Sequence, residues 1–373
     1  MAFVRVKKGE LKVGDALPWS VFRESGTLLL HKGEEVESQH QVDMLVTQGF
    51  RPDDTSDRLN LLLEKKIDNP FAFVDEIHQH LKHLLKNLTL PTNDGALRLN
   101  YMAQLLIRLC NEFPDAMVGV VHRFDEKPYS VTHSIHTAII SSVLAQHHGH
   151  DDGEQLRVVC AALTANLGML DLHDTLENQA GPLSEEQQEK LRRHPVESEQ
   201  LLEKNVTTDE LWLQMVRQHH ERLDGSGYPD GLQGDAITHG ARIIALADRY
   251  SAMVQAHAHK PAEIPGQVLK QLYAEKGNLM DESLCQRLIH VLGVYPPGSF
   301  VRLKNGETAL VIKHSTEPGQ HWPLVSSFKG RDRNIYINPL NHDSNLPDYA
   351  IECMVGQEKL PFSNEVMWGY TKL

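Results

Sequence analysis

The residues best suited to chemistry are the adjacent histidines His219 and His220, which stand directly before a glycine-rich loop. Neutral imidazole is the commonest metal ligand in proteins. Neighbouring side chains on a helix point about 100° apart, so two adjacent imidazoles reach one cleft only near a helix end. The next segment, 224–229, predicts a stiff loop, because glycine permits unusual backbone angles and proline fixes its own. Such a loop brings backbone N–H groups and the Tyr228 ring close to a ligand.

Three further polar residues stand in segments where a helical bundle should be apolar. His133 lies in an apolar helical segment, Asp248 follows an apolar run, and His194 precedes Pro195 at a predicted junction between helices. A buried carboxylate needs a partner. A bound metal would supply one partner for all of these side chains, so their combination with the histidine pair favours a metal site.

Each of these residues alone has a simpler explanation. A histidine on an apolar helix face is more often a satisfied core or surface residue than a ligand. Asp248 could pair with Arg242 or with Arg249. The metal interpretation therefore depends on the whole set of residues and not on any one of them.

The segment HHERLDGSGYPDGL, at 219–232, resembles the signature of the HD-GYP domains. The resemblance extends over about 129–255, and the helices predicted at 69–118 resemble the usual lead-in of that family. The other matching segments are 129–134, 181–186, 194–195 and 241–248. HD-GYP domains are all-helical, metal-dependent phosphodiesterases that hydrolyse the bacterial second messenger cyclic di-GMP. The resemblance therefore implies that fold, that ligand and a bacterial signalling role.

The resemblance also implies roles for individual residues. Catalysis in the family resembles a two-metal design, in which paired cations bind the phosphate and lower the pKa of a bridging water. By position, the implied metal ligands are His133, His194, His219, His220 and Asp248. The residues implied to shape the nucleotide pocket are Arg222, Gly225, Gly227, Tyr228 and Pro229.

The chain departs from the family at the adjacent His-Asp pair that gives the family its name. The family segment L-x-H-D-x-G-K aligns with 163–169, where Ala165, Asn166 and Met169 replace the histidine, the aspartate and the lysine. Alanine has no ligand atom, and a neutral amide does not hold two cations together as a bridging carboxylate does. Met169 also lacks the positive charge that suits a phosphate. We therefore assign a catalytic role to no residue of the chain.

A second His-Asp pair, His173-Asp174, lies eight residues after Ala165 (173 against 165). Its use as the family pair would break the ungapped alignment to 181–186 and to His194. We therefore do not expect it to replace the lost pair.

Composition excludes several classes of protein. The 373 residues have a net charge of −13, which argues against broad contact with nucleic acid or an anionic membrane, although a pocket for a small anion is compatible with this charge.

The first residues lack the apolar stretch of a signal peptide, and the longest apolar run, near 158–170, is too short to span a bilayer. We therefore predict a cytoplasmic protein. Its cysteines form no CxxC pair and are predicted to be reduced core thiols: Cys110, Cys160, Cys285 and Cys353.

The predicted fold class is mainly α: an HD-GYP all-helical bundle with a small α+β N-terminal unit and a small β-rich C-terminal cap. The predicted boundaries are 1–55 for the N-terminal unit, 59–292 for the helical domain with its signature core at 129–255, and 296–373 for the C-terminal region. Helix starts are predicted at Ser38, Ser184 and Thr207, each with Gln or Glu three residues later. The predicted turns are 13–15, 24–26 and 305–306, and the predicted strands are 27–30, 300–303, 309–312 and 334–338.

The sequence leaves three functions open. The first is a cyclic di-GMP receptor or docking protein with little or no hydrolysis. The second is a working phosphodiesterase with an altered metal site, for example a mononuclear one. The third is a protein-interaction scaffold that binds no nucleotide.

The expected cofactor is at most one tightly bound divalent cation, zinc, iron or manganese, and no metal at all is also compatible with the sequence. The expected partners are cyclic di-GMP and, through the loop at 224–229, a diguanylate cyclase or another signalling protein. A homodimer is left open, and neither nucleic acid nor membrane is expected.

Overall fold

The structure is a computed structural model that describes residues 3–23, 28–52, 55–88, 94–122, 128–147, 152–179, 181–256, 261–314 and 322–371. Its helices are α1 Gln39–Gln48, α2 Thr55–Glu64, α3 Pro70–Lys86, α4 Gly95–Glu112, α5 Pro114–Val121, α6 Tyr129–His147, α7 Asp152–Thr164, α8 Leu170–Glu177, α9 Glu185–Asn205, α10 Glu210–Gln218, α11 His239–Val254, α12 Pro265–Ala274, α13 Glu282–Leu292 and α14 Asn364–Met367. Its strands are β1 Phe3–Arg5, β2 Val21–Phe22, β3 Leu28–Leu30, β4 Phe50–Pro52, β5 Phe300–Leu303, β6 Thr308–Lys313, β7 Leu324–Lys329, β8 Ile335–Asp343 and β9 Ile351–Met354. The predicted fold class, mainly α with small sheets near both ends, is confirmed.

The N-terminal unit packs α1 on a four-stranded antiparallel sheet of order β1-β4-β2-β3. The side chain of Ser38 accepts a hydrogen bond from the backbone N–H of Gln41, and Gly49 ends the helix, as the sequence predicts. The predicted turn at 24–26 and the first residue of the predicted strand, Thr27, lie outside the described residues.

Helix α6 is the centre of the helical domain. Every side chain from 130 to 145 is buried, including His133 and several serines and threonines. A helix that is buried on all sides must be surrounded by other elements, and here α4, α7 and α11 pack around it. This packing places His133 and Asp248, the latter on α11, in the interior of the bundle.

The C-terminal region forms a five-stranded antiparallel sheet of order β8-β7-β6-β5-β9. The turn predicted at Asn305-Gly306 joins β5 to β6, and Gly306 has a φ of 90°, which favours glycine. The buried His122 connects this region to α11. Its Nδ1 lies 2.7 Å from the carbonyl oxygen of Pro297, and its Nε2 lies 2.6 Å from the hydroxyl oxygen of Tyr250.

Two local predictions are wrong. Thr207 does not cap α10 in a capping box, because its hydroxyl accepts from the N–H of Asp209, and it is Asp209 that accepts from the first N–H groups of the helix. Cys353 is exposed and is not a core thiol, since it lies on the edge strand β9, whereas the other three cysteines are buried. The capping box predicted at Ser184 is confirmed.

Within the described part of the chain, no helix is both long enough and apolar enough to cross a bilayer.

His314 should make the stability of the protein pH-dependent. Its Nδ1 lies 2.6 Å from Asp115 Oδ1 and its Nε2 lies 2.6 Å from the carbonyl oxygen of Leu292, so both nitrogens face acceptors and both carry protons. Burial alone lowers the pKa of His314, but these hydrogen bonds and the Asp115 charge outweigh it and raise the pKa above 6.5. The stabilisation is therefore complete below the unfolded-state pKa and is lost as the pH rises through the higher folded-state pKa.

Denaturant unfolding between pH 5 and 9 would measure this loss, which we expect to be about 1–2 kcal/mol. The variant His314→Gln should remove the loss of stability that occurs as the pH rises above 6.5, and exchange of the exposed His290 for Gln should leave that loss intact. An unchanged pH profile in His314→Gln would show that the contact is not protonated.

Candidate metal and nucleotide site

His194, His219 and His220 come together at one point, although two helices and a loop supply them. His194 lies in α9, His219 caps the end of α10, and His220 is the first residue beyond it. One ligand atom of each side chain lies within 4.8 Å of the other two. The end of α10 allows the neighbouring rings of His219 and His220 to face one cleft, as expected from the sequence.

Pro195 accounts for the orientation of the His194 ring. Pro195 lies inside α9 and has no N–H, so the carbonyl of Leu191, four residues earlier, lacks its helical donor. The Nδ1 of His194 lies 2.7 Å from this carbonyl oxygen and donates to it. The Nε2 lone pair of His194 is then left to face the cleft. The predicted helix junction at Pro195 is therefore wrong, and α9 continues through it to Asn205.

His219 is oriented in the same way at the end of α10. Its Nδ1 lies 2.5 Å from the carbonyl oxygen of Val216. The last carbonyls of a helix have no helical donor. The end of α10 therefore leaves the Val216 carbonyl available to the His219 ring, as Pro195 leaves the Leu191 carbonyl available to the His194 ring. Metal-binding histidines commonly donate their second ring N–H to such a carbonyl, which fixes the tautomer.

The donor set of these three histidines fits a divalent cation. The Nε2 atoms of His194 and His219 lie 3.2 Å apart, and with both Nδ1 atoms protonated two lone pairs face each other. A cation between them would satisfy both, since ligands about 2.0–2.1 Å from zinc lie roughly 3.3 Å apart. Burial lowers the pKa of all three rings, to about 3 for His220 and well below the usual value for His194. The rings are therefore in the neutral, metal-binding form at neutral pH.

His133 and Asp248 form the other half of the site. His133 Nε2 lies 2.8 Å from Asp248 Oδ1, and the Nδ2 of Asn166 donates to the same oxygen at 3.3 Å. Burial alone raises the pKa of the Asp248 carboxyl, but the charge and hydrogen bond of His133 outweigh burial and hold that pKa well below its usual value. Asp248 is therefore a carboxylate whose Oδ1 atom already has two hydrogen-bond partners.

The arginines near Asp248 in the sequence bind other carboxylates. Arg242 lies 3.3 Å from Asp281 Oδ2, and Arg249 lies 2.7 Å from Glu275 Oε1. The simple ion-pair explanation of Asp248 is therefore wrong.

The replaced family positions lie beside this second half. Asn166 offers Asp248 an amide N–H, which is a donor and not a second carboxylate. Ala165 is fully buried and has no ligand atom. Met169 is also buried and ends the short 3-10 helix Leu167–Met169. At positions 165 and 166 the chain therefore presents a methyl group and an amide group, and the amide group lies beside Asp248.

The loop after the histidine pair is held by Glu221. Its buried carboxylate accepts hydrogen bonds from the backbone N–H groups of Asp230, Gly231 and Leu232 at 2.6, 3.1 and 3.0 Å. Gly227 is required because a Cβ there would lie 2.4 Å from the backbone nitrogen of Arg222. The Glu221 carboxylate thus joins the start of the loop to its end, and the close backbone contact at Gly227 restricts the conformation of the loop.

The residues of the implied nucleotide pocket lie along this loop. The Tyr228 ring stacks on His220 with their centroids 4.8 Å apart, and the peptide bond from Tyr228 to Pro229 is cis. Gly225 has a φ of 82°, and the exposed Arg222 lies 3.4 Å from the hydroxyl oxygen of Ser226. The loop therefore covers the His220 imidazole with an aromatic ring.

Comparison with known proteins identifies the fold family. Residues 101–284 match the profile of the HD domain. The chain is 26% identical over 200 residues to a cyclic di-GMP phosphodiesterase of Pseudomonas aeruginosa, with 54% of this chain and 48% of that protein covered. It is 32% identical over 151 residues to the cyclic di-GMP phosphodiesterase response regulator RpfG of Xanthomonas campestris, with 40% of each chain covered. The chain thus spans less than half the length of these two relatives.

A solved structure shares the fold. An HDG"Y"P protein from Bdellovibrio bacteriovorus superposes with a TM-score of 0.51 at 16% identity, over 78% of this chain and 99% of that one. The chain carries an HD domain, and its relatives and fold support the HD-GYP family. The segment at 219–232 is the one that resembles the signature of that family.

Three residues of the HD-GYP site had no role in the sequence analysis. Glu221 stood in the signature, but its loop contacts are visible only in three dimensions. Arg192 is exposed on α9, and its guanidinium lies 5.9 Å from the Tyr228 ring centroid. The ring centroid of His173 lies 5.2 Å from that of His133, although the alignment gave His173 no place in the site. In the sequence, the adjacent pair His173-Asp174 was the signal for this residue.

Glu221→Ala should loosen the HD-GYP loop. Three backbone N–H groups would lose a charged acceptor, so we expect the free energy of unfolding to fall by about 2 kcal/mol. Urea denaturation measures this change, and hydrogen exchange at 230–232 should accelerate. Exchange of the exposed Glu185 for Ala is the matched control and should change little. Equal stability of Glu221→Ala and the parent protein would mean that the loop does not depend on this carboxylate.

Proposed function

We propose that this chain is a cyclic di-GMP signalling protein whose HD-GYP domain binds the nucleotide and hydrolyses it little or not at all. One contrast within the site supports this proposal. The ligand atoms of three imidazoles come together below the loop, whereas Oδ1 of Asp248 is already bonded to His133 and to the amide of Asn166. Nucleotide binding and hydrolysis require different groups, and in this proposal the chain supplies only the groups for binding.

One divalent cation, zinc, iron or manganese, would be held by His194, His219 and His220. Such a cation supplies a positive centre for a phosphate oxygen. The chain's own residues would supply the rest of the binding. Tyr228 presents an aromatic face beside this centre, and the guanidinium groups of Arg192 and Arg222 lie near that ring. They would provide positive charge on a protein whose net charge is negative.

An active phosphodiesterase with a mononuclear site is the second candidate. Three neutral imidazoles with an open fourth position are also the ligand arrangement of catalytic zinc sites. The same three histidines thus support this alternative, which differs from the first only in whether the phosphodiester bond is cleaved.

Calorimetry and product analysis on the full chain would test the proposal. The protein would be loaded with manganese, iron or zinc and mixed with cyclic di-GMP. We expect micromolar binding that is lost in Tyr228→Ala and retained in the control Tyr273→Ala, with no linear product. Turnover that disappears in His219→Ala would instead establish the phosphodiesterase. Absence of binding at every metal loading would favour a scaffold that docks signalling proteins such as a diguanylate cyclase.

A further inference from the structure

We propose that Arg217 is a positioning residue of the candidate site, which fixes helix α9, helix α10 and the loop after the histidine pair relative to one another. Arg217 would act through neighbouring carboxylates and not as a ligand. The part of this inference that concerns the two helices needs no nucleotide. The part that concerns the loop rests on the proposed binding of cyclic di-GMP.

Arg217 lies in the last turn of α10, two residues before His219. A cation at this end of a helix interacts favourably with the helix dipole and needs no further partner for that. Its guanidinium nevertheless contacts two carboxylates on other elements, Glu199 of α9 and Asp230 at the end of the loop. One side chain therefore joins the three elements that carry the candidate site.

The contact with Asp230 anchors the end of the loop. Arg217 donates from Nε to Asp230 Oδ2 at 2.6 Å and from Nη2 to Oδ1 at 2.7 Å. Such a two-point contact fixes the orientation of both groups as well as their distance. The backbone N–H of Asp230 is held separately by Glu221. Asp230 directly follows Pro229, so both anchors act next to the segment that covers His220.

The contact with Glu199 fixes α9 against α10. Arg217 Nη1 donates to Glu199 Oε2 at 2.7 Å. Glu199 lies five residues after His194 in the same helix, which is about 7.5 Å along the axis. The Nε2 atoms of His194 and His219 lie 3.2 Å apart, and metal–ligand distances depart from their ideal values by only about 0.2 Å. A small slide of α9 along α10 would therefore change the spacing of the two ligands.

The expected role is positional because ion pairs of this exposure usually contribute little to stability. The side chain of Arg217 is 32% exposed, and those of Asp230 and Glu199 are 34% and 23% exposed. The hydrogen bond from Arg217 lowers the pKa of Asp230, so the contact is ionic at neutral pH. Loss of Arg217 should therefore alter the geometry of the site more than the stability of the protein.

Metal binding by the full chain without nucleotide would test the role of Arg217. Arg217→Gln should weaken the binding of zinc or manganese in equilibrium dialysis about tenfold, while the urea midpoint changes little. The absorption spectrum of the cobalt-loaded variant should also change at full occupancy, because the ligand geometry differs. Arg217→Lys should restore part of the affinity, since one ammonium group replaces a fork that reaches two carboxylates.

Arg157→Gln is the matched control for these measurements. It removes the ion pair between Arg157 and Asp209 at the other end of α10, where the side chains are similarly exposed. Its metal affinity and cobalt spectrum should equal those of the parent protein. Parental affinity and spectrum in Arg217→Gln would overturn the proposal. An equal loss in Arg157→Gln would also overturn it, because the effect would then be one of general stability.

The two carboxylates separate the two parts of the inference and keep it testable if Arg217→Gln folds poorly. Glu199→Gln should reproduce the loss of metal affinity. Asp230→Asn should keep that affinity, accelerate hydrogen exchange at 224–229 and weaken cyclic di-GMP binding about tenfold. A parent protein that binds no cyclic di-GMP would contradict the proposed function alone, because the metal and exchange measurements still test Arg217. Unchanged exchange in Asp230→Asn together with unchanged metal affinity in Glu199→Gln would exclude the positioning role.

Discussion

Exchange of His219 for alanine is expected to abolish tight binding of a divalent cation. His219 is fully buried and supplies one of three nitrogens that face a single point. Zinc sites bind with about 10–16 kcal/mol distributed over their ligands, so the loss of one ligand should weaken binding roughly a thousandfold. Equilibrium dialysis at low free zinc or manganese should therefore find the variant metal-free under conditions in which the parent protein is loaded.

The control for this experiment separates ligand loss from misfolding. His290→Ala changes an exposed histidine on α13 and should keep its metal. Circular dichroism of metal-free His219→Ala should match that of the metal-free parent protein. A variant that stays folded and binds the cation with parental affinity would exclude the three-histidine site.

Local patterns in the sequence predicted the part of the site that lies close together along the chain. The histidine pair and the loop at 224–229 lie within eleven residues (219 to 229), and the end of α10 falls where two adjacent rings require it. The start of α9 was also predictable, because Ser184 and Gln187 form a capping box within four residues.

The remaining contacts join residues that are far apart along the chain. Asp248 meets His133, 115 positions away, and no spacing rule selects this partner over the nearby Arg242 or Arg249. His173 approaches His133 because α8 folds back on α6, which an ungapped alignment does not represent. These contacts depend on tertiary packing, and tertiary packing decides which of several reasonable partners a buried polar group obtains.

Pro195→Ala is expected to stabilise α9 and at the same time to weaken metal binding. Alanine restores the N–H that proline lacks, and it is favoured over proline inside a helix by up to about 3 kcal/mol. The restored N–H would compete with His194 Nδ1 for the carbonyl oxygen of Leu191. His194 would then lose the contact that fixes its tautomer, and such outer contacts contribute about ten- to a hundredfold in metal affinity.

Higher stability together with weaker metal binding would show that Pro195 acts by orienting the His194 ring. A role of Pro195 in packing would instead lower both the stability and the metal affinity. Urea denaturation should show higher stability of metal-free Pro195→Ala, while dialysis should show weaker binding of the tight cation. Nitrogen chemical shifts of the His194 ring should report a mixture of tautomers in the variant and a single one in the parent protein. The adjacent Val196→Ala, which restores no N–H, should keep parental metal affinity. Unchanged affinity in Pro195→Ala would show that the Leu191 carbonyl does not orient His194, whereas a fall in both stability and affinity would assign to Pro195 a packing role alone.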